Sequence, residues 1–249
     1  MKSLVIIKVG DAFSNISEKF GDFEQWIVNG LGDHHLPIVI TDPRLGDAFP
    51  NIDCVAGIII TGSHSMVSDR EPWSENLAIW LRAAVIENTP TLGICYGHQL
   101  LAHAFGGDVG YHPDGIELGT VSINLTPLAK SDPLFSHLPD QFLAHVVHSQ
   151  CVRSLPKRAV ILASNAFEPH HAFRIGDFAW GVQFHPEFGT DAMAGYIEET
   201  MKNLNSDEAI SKFPSIKVFA TVEASSVLPK FVQLVKQRMR CSPAVGNGR

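Results

Sequence analysis

The sequence predicts an α/β protein: a mostly parallel sheet flanked by helices, with a smaller antiparallel β portion. Three observations lead there. In the first hundred residues, short apolar runs alternate with stretches of helical periodicity, the pattern of βαβ units around a parallel sheet. Beyond Gly106-Gly107 the pattern changes to short alternating or apolar runs separated by turn residues, which reads as partly antiparallel. The chain has 249 residues, 45% of them hydrophobic and 18% charged, ample for a sizeable core.

Residues 4–9, apolar except for Lys8, are ended by Gly10 and suit a buried parallel strand. Ile16, Phe20, Phe23, Ile27 and Leu31 recur at steps of four, three, four and four, the stripe of one amphipathic helix. Residues 37–41 and 56–61 are the next two strands, the second closed by Gly62. Leu77, Trp80, Leu81, Ala84 and Val85 mark another helix, with Ser74 as its expected N-cap. Residues 91–94 form a strand that runs directly into a helix-like segment. Short strands are then expected at 119–125, 141–147, 159–163, 172–175 and 178–184. Residues 189–203 return to helix, 204–221 read as a connection, and 227–239 carry a helical apolar stripe. Residues 242–249 are expected to fray. The chain thus divides into a principal domain, 1–204, and a C-terminal helical extension, 205–249, packed on that domain.

Charge and cysteine usage narrow the function. A formal charge of −7 argues against a nucleic-acid-binding surface, which is normally basic. Cys54, Cys95, Cys151 and Cys241 show no CxxC spacing, so neither a zinc ribbon nor a redox dithiol is suggested. Four widely spaced cysteines fit a reducing compartment better than a disulfide framework. The first residues do not read as a signal peptide, because the apolar run stops at Lys8. No segment approaches the ~20 apolar residues of a membrane span. A cytoplasmic protein is expected, with neither membrane nor nucleic acid as a partner.

The most informative stretch is Gly93-Ile94-Cys95-Tyr96-Gly97-His98-Gln99. One cysteine stands between two glycines, where a strand turns sharply into a helix. The glycines let the backbone fold that tightly, and the helix N-terminus behind the thiol favours thiolate. Ninety residues later comes Gln183-Phe184-His185-Pro186-Glu187. It places an imidazole at a strand end, with a carboxylate two positions on to orient it. Cys95 as nucleophile, His185 as general base and Glu187 as its orienter form a candidate triad. For Cys54, Cys151 and Cys241 a buried structural role is expected. A rival metal reading of His185 and Glu187 lacks a third ligand at recognisable spacing, so no metal is expected.

At these residues the chain resembles the class I (Cys-His-Glu triad) glutamine amidotransferases. The family's G-x-C-x-G-x-Q motif reads here as Gly93, Cys95, Gly97 and Gln99, and its Q-F-H-P-E motif as Gln183 to Glu187. Both match in full and in the family's order. The resemblance covers roughly residues 1–200 and is closest to stand-alone proteins similar to the glutaminase domain of GMP synthase. It implies a flavodoxin-like fold and makes 1–204 the glutamine amidotransferase domain. It also implies an oxyanion hole from the Tyr96 N–H and a glycine in the loop after the third strand. Here that loop is Thr61-Gly62-Ser63-His64-Ser65-Met66, so Gly62 is the expected donor. The loop lacks the double glycine of many members. Gln99 is expected to contact the substrate's amino-acid end. His148, Ser149 and Gln150 align with a family stretch, usually His-Gly-Asp-x-Val, that lines the same pocket, and Ser149 and Gln150 depart from it.

The implied reaction is hydrolysis of the glutamine side-chain amide to glutamate and ammonia through a γ-glutamyl thioester, with no cofactor. No phosphate-binding loop accompanies the triad, and the residues after it are too few for a synthetase domain. A synthetase subunit supplied in trans is one expectation. The alternative is a γ-glutamyl peptide hydrolase using the same triad and a wider leaving-group pocket. A catalytically idle regulatory subunit is a third reading, and the intact triad argues against it.

Overall fold

Strand β1 (Ser3–Ile7) shows how the sequence builds a layered protein. Successive side chains of a strand point to opposite faces. Leu4 and Ile6 accordingly enter one core, while Val5 and Ile7 enter another on the far side of the sheet. Helices must cover both faces, and they do. The structure, a computed structural model, describes residues 2–203 and 216–241.

Among the described residues eleven strands build two sheets. After β1 come β2 (Ile38–Thr41), β3 (Val55–Ile60), β4 (Thr91–Ile94), β5 (Asp108–Tyr111), β6 (Glu117–Leu125), β7 (Gln141–His148), β8 (Gln150–Ser154), β9 (Val160–Ser164), β10 (Ala172–Ile175) and β11 (Ala179–Val182). The main sheet has nine strands in the order β2-β1-β3-β4-β11-β10-β9-β6-β7. Pairings from β2 through β11 are parallel. From β11 through β10, β9 and β6 to β7 they are antiparallel. Strands β5 and β8 form a separate antiparallel pair. Sequence patterning does not reveal those two. Strand β5 buries only its two central residues, and β8 buries the polar Gln150 beside Cys151 and Val152.

The predicted helix over residues 16–31 is two helices, α1 (Ser14–Phe20) and α2 (Phe23–Gly30). The chain turns at Gly21, and the Asp22 carboxylate then accepts hydrogen bonds from the N–H groups of Phe23 and Ala12. That cap starts a new helix, and Phe20 is left exposed. Helix α3 (Pro72–Ile86) also corrects an expectation. It begins at proline, a residue suited to the first turn. Ser74 lies inside the helix, buried, with its hydroxyl 2.6 Å from Tyr96 Oη. Helices α4 (Tyr96–Ala104) and α5 (Thr190–Asn203) occupy the predicted places.

Helix α6 (Val227–Cys241) belongs to the core. Val227, Leu228, Phe231 and Val235 are fully buried, and the Phe231 ring meets Trp180 edge-on at 6.3 Å. With α2 it covers one sheet face, and α3 with α4 covers the other. The expected connection over 204–221 is described only from residue 216 onward. Residues 242–249, expected to fray, lie outside the described residues, as does the side chain of Cys241. Cys54 corrects another expectation. It is exposed at the end of a 3-10 turn before β3, whereas Cys151 is buried. Among the described residues no helix is long and apolar enough to cross a membrane.

Candidate active site

The segments after β1, β3, β4 and β11 lie at the same ends of parallel neighbours, where open α/β sheets gather their functional groups. Phe13, Ser63, His64, Cys95 and His185 come from those four segments and line one cleft of about 460 Å³. The junction of β7 and β8 completes it with Val147, His148, Ser149 and Gln150.

Strands β4 and β11 are in register with Ile94 opposite Val182. The Cys95 N–H donates to the Val182 carbonyl at 2.8 Å, and the next residue opens α4. Cys95 therefore sits at the turn itself, with φ 50° and ψ −97°. This left-handed conformation costs a non-glycine residue about 1–3 kcal/mol, which the surrounding packing must offset. Two glycines allow the packing. A Cβ on Gly93 would lie 2.3 Å from the Gly97 carbonyl oxygen, and one on Gly97 would lie 2.7 Å from Ile60 Cβ.

His185 follows β11, and its N–H donates to the His145 carbonyl at 2.8 Å. Its ring is buried, stacked on Phe188 with centroids 4.1 Å apart. Nδ1 donates to Glu187 Oε1 at 2.8 Å, which fixes the ring's orientation. Nε2 has no hydrogen-bond partner, and the nearby Cys95 thiol instead points to the Val147 carbonyl at 3.8 Å. Burial alone would drive the imidazole to lower pKa. The Glu187 carboxylate and Cys95 overcome that and push it up to about 10.

Gly62 faces this pair. A Cβ there would stand 3.1 Å from His185 Cε1 and 3.8 Å from Cys95 Cβ. The Thr61 hydroxyl donates to the Gly62 carbonyl at 2.9 Å and accepts from the Val9 N–H at 3.0 Å, tying this loop to β1. The Tyr96 N–H opens α4, and such first-turn N–H groups have no intrahelical acceptor. The Tyr96 side chain is committed elsewhere. It stacks on Trp73 and meets Ser74, and burial pushes its phenol up to about 12.

The expected substrate-contact residues are brought to the cleft, already bonded to one another. Gln99 Nε2 donates to the Gln150 carbonyl at 2.8 Å and to Gln183 Oε1 at 3.0 Å. The Gln150 amide is held by Ser68, donating to its hydroxyl at 2.5 Å. His148 faces acceptors at both nitrogens, the Gln150 carbonyl at 3.0 Å and Glu117 Oε2 at 2.9 Å. Ser149 is half-buried in the cleft wall.

Sequence reasoning missed Phe13, Phe23, His64 and Tyr196 as cleft residues. Phe13 and His64 had a usable signal, since both lie just beyond a parallel strand. Phe23 and Tyr196 had none, because α2 and α5 reach the site only through tertiary packing.

Residues 20–203 match the family model described as glutamine amidotransferase class-I. A GMP synthase [glutamine-hydrolyzing] of Thermosipho africanus is 34% identical over 154 residues, covering 59% of this chain and 28% of that protein. The chain therefore spans well under half the length of that relative. A γ-glutamyl-L-1-hydroxyisopropylamide hydrolase of a Pseudomonas species is 30% identical, covering 61% of this chain and 53% of that protein. Among solved structures, a glutamine amidotransferase from Methylobacillus flagellatus superposes with a TM-score of 0.76 at 21% identity. That match covers 100% of this chain and 98% of the other, and it shows the shared fold.

Proposed function

Since the chain belongs to the class-I glutamine amidotransferase family, we propose that it is a cysteine amidohydrolase that cleaves the side-chain amide of glutamine. The observation that carries this reading is the placement of His185 between Glu187 and Cys95, all buried at the ends of two adjacent parallel strands. The Cys95 sulfur attacks the amide carbon and forms a carbon–sulfur bond. Negative charge develops on the carbonyl oxygen, and the N–H groups of Tyr96 and Gly62 are the donors assigned to it. As the carbon–nitrogen bond breaks, the electron pair leaves with nitrogen, which takes its proton from the His185 imidazolium. A water then attacks the γ-glutamyl thioester, with His185 as base, and the sulfur leaves as thiolate. The products are glutamate and ammonia. Glu187 holds the imidazole in place through its contact with Nδ1.

The relative from Thermosipho is a synthetase by name, and this chain matches only part of it. Transfer of ammonia to an acceptor is accordingly assigned to a synthetase subunit in trans, not to this chain. The Pseudomonas relative, named as a hydrolase of a γ-glutamyl amide, favours a second reading in which the leaving group is a substituted amine. The acyl-enzyme chemistry is the same in both. Cytoplasmic operation is part of the proposal.

The test is glutamate release from glutamine by the purified chain, with chelator present and nucleotide absent. Steady release is expected, because a thiolate, a base and fixed N–H dipoles suffice. Silence until a second protein is added would overturn autonomous hydrolysis and make the chain a subunit of a larger amidotransferase.

A further inference from the structure

The cleft has two chemically different sides, and His185 stands where they meet. On one side lie the hydrogen-bonded amides of Gln99 and Gln150. On the other a set of rings runs outward from the imidazole. Phe23 stacks on His185 with centroids 6.5 Å apart and meets Tyr196 at 6.3 Å. Phe13 bridges Tyr196 at 5.1 Å and His64 at 4.4 Å. Phe23 and Tyr196 are almost fully buried and form the backing, while Phe13 and His64 keep surface open. The cleft then continues to Thr200 and Asn203, which lie on the same face of α5 as Tyr196. Among the described residues, no aspartate, glutamate, lysine or arginine lines it.

Direction decides what this side is for. The departing nitrogen must take its proton from His185, so the leaving group exits on the His185 side of the scissile bond. Ammonia is about the size of a water, which needs only ~30 Å³. The cleft's 460 Å³, shared between the glutamyl side and this one, lies in the range of drug-sized ligands, about 300–1,000 Å³. Ammonia gains nothing from aromatic surface, whereas a hydrocarbon leaving group is held by it.

We infer that Phe13, Phe23, His64 and Tyr196 form a leaving-group subsite, and that the site accepts γ-glutamyl amides of aromatic or other apolar amines in addition to glutamine. The inference rests on the reading of Cys95 and His185 given above. Partial desolvation against the neighbouring rings and the nearby His185 lower the His64 pKa. The reaction balances without a further reactant. The amide carbon–nitrogen bond breaks, water supplies the carboxyl oxygen, and the amine leaves with the proton from His185.

The test compares glutamate release from glutamine, γ-glutamyl methylamide and γ-glutamyl benzylamide. The expected result is a kcat/KM for the benzylamide at least tenfold above that for the methylamide. Phe13→Ala should shrink that ratio at least threefold, and Phe13→Leu should shrink it less. Each ratio is taken within one preparation, so it does not depend on the folded fraction of the variant. Equal values for the two amides, or a ratio unmoved by both variants, would overturn the subsite while leaving glutamine hydrolysis in place. No glutamate from any of the three substrates would overturn the underlying reading and the subsite with it.

Discussion

Two buried histidines of this protein meet a glutamate at nearly the same distance. His185 Nδ1 lies 2.8 Å from Glu187 Oε1, and His148 Nε2 lies 2.9 Å from Glu117 Oε2. The pairs differ at the other nitrogen. That of His185 is buried without a hydrogen-bond partner, its ring and Cys95 both lying against Gly62, whereas that of His148 faces the Gln150 carbonyl. Glu117 is also shared, with His171 Nε2 at 3.3 Å and Asn165 donating to its second oxygen at 2.6 Å. One pair therefore leaves a nitrogen uncommitted near a thiol, and the other has both ring nitrogens committed to neighbouring backbone and side chains. A buried histidine–carboxylate contact is therefore no signature of catalysis by itself. What the far nitrogen faces separates a proton carrier from a strut.

The largest effect expected from this contrast is at Cys95. Cys95→Ala should reduce glutamate release by more than about a thousandfold with the folded state retained, because the proposed nucleophile is gone. Steady-state rates and a thermal melt on the same sample check it, and turnover near the wild-type rate would end the contrast at once.

The two glutamates should then behave oppositely. Glu187→Gln removes the charge that orients His185, and kcat should fall by roughly 10²–10⁴ with little change in stability. Glu117→Gln should leave kcat within about tenfold of wild type but cost about 1–3 kcal/mol of stability, since it disrupts a buried hydrogen-bonded cluster. Burial would raise the Glu117 pKa, but the hydrogen bonds of His148 and His171 outweigh it and hold this carboxyl well below its ordinary 4.5. A depressed carboxylate contributes stability above its unfolded pKa and loses it as pH falls through the folded value. The penalty of Glu117→Gln should thus be full at pH 7 and shrink well below pH 4.5. Denaturant melts across that range, beside kcat at neutral pH, measure both halves. An equal loss of kcat in the two variants would erase the distinction between them.

Glu168 supplies the smallest test. It is fully buried beside the same cluster, and one oxygen accepts the His170 N–H at 2.8 Å. Burial, aided by the negative charge of Glu117, pushes it up to about 7, although His148 and the His170 N–H oppose the rise. A raised carboxyl keeps its proton longer in the folded state, so stability falls as pH rises from 4.5 to about 7. Glu168→Gln should flatten that slope, a difference of about 1–2 kcal/mol between pH 5 and pH 8. Parallel slopes in the variant and the wild type would assign the pH dependence to another group.

The same contrast explains what could be read from the sequence. Strand β4 and Cys95 are legible because a parallel strand buried on both faces is an uninterrupted apolar run, and the glycines beside the cysteine are needed for close approach. His185 is legible as a residue just past such a strand. Strands β5 and β8 are not, since Gln150 is polar and yet buried, its amide satisfied by Ser68 from a distant loop. The Glu117–His148 contact joins residues 31 apart, across two antiparallel strands, and no periodicity announces it. The break between α1 and α2 was hidden because the apolar stripe continues through Gly21 and Asp22.

The central claim is that Cys95 carries the acyl group, and the most direct measurement is the mass of the protein quenched in acid during turnover. After digestion, the peptide holding Cys95 should carry one γ-glutamyl group, which is removed by hydroxylamine and absent when substrate is omitted. Sustained glutamate release with that peptide unmodified at every quench time, or with the adduct on Cys54 or Cys151 instead, would contradict the account.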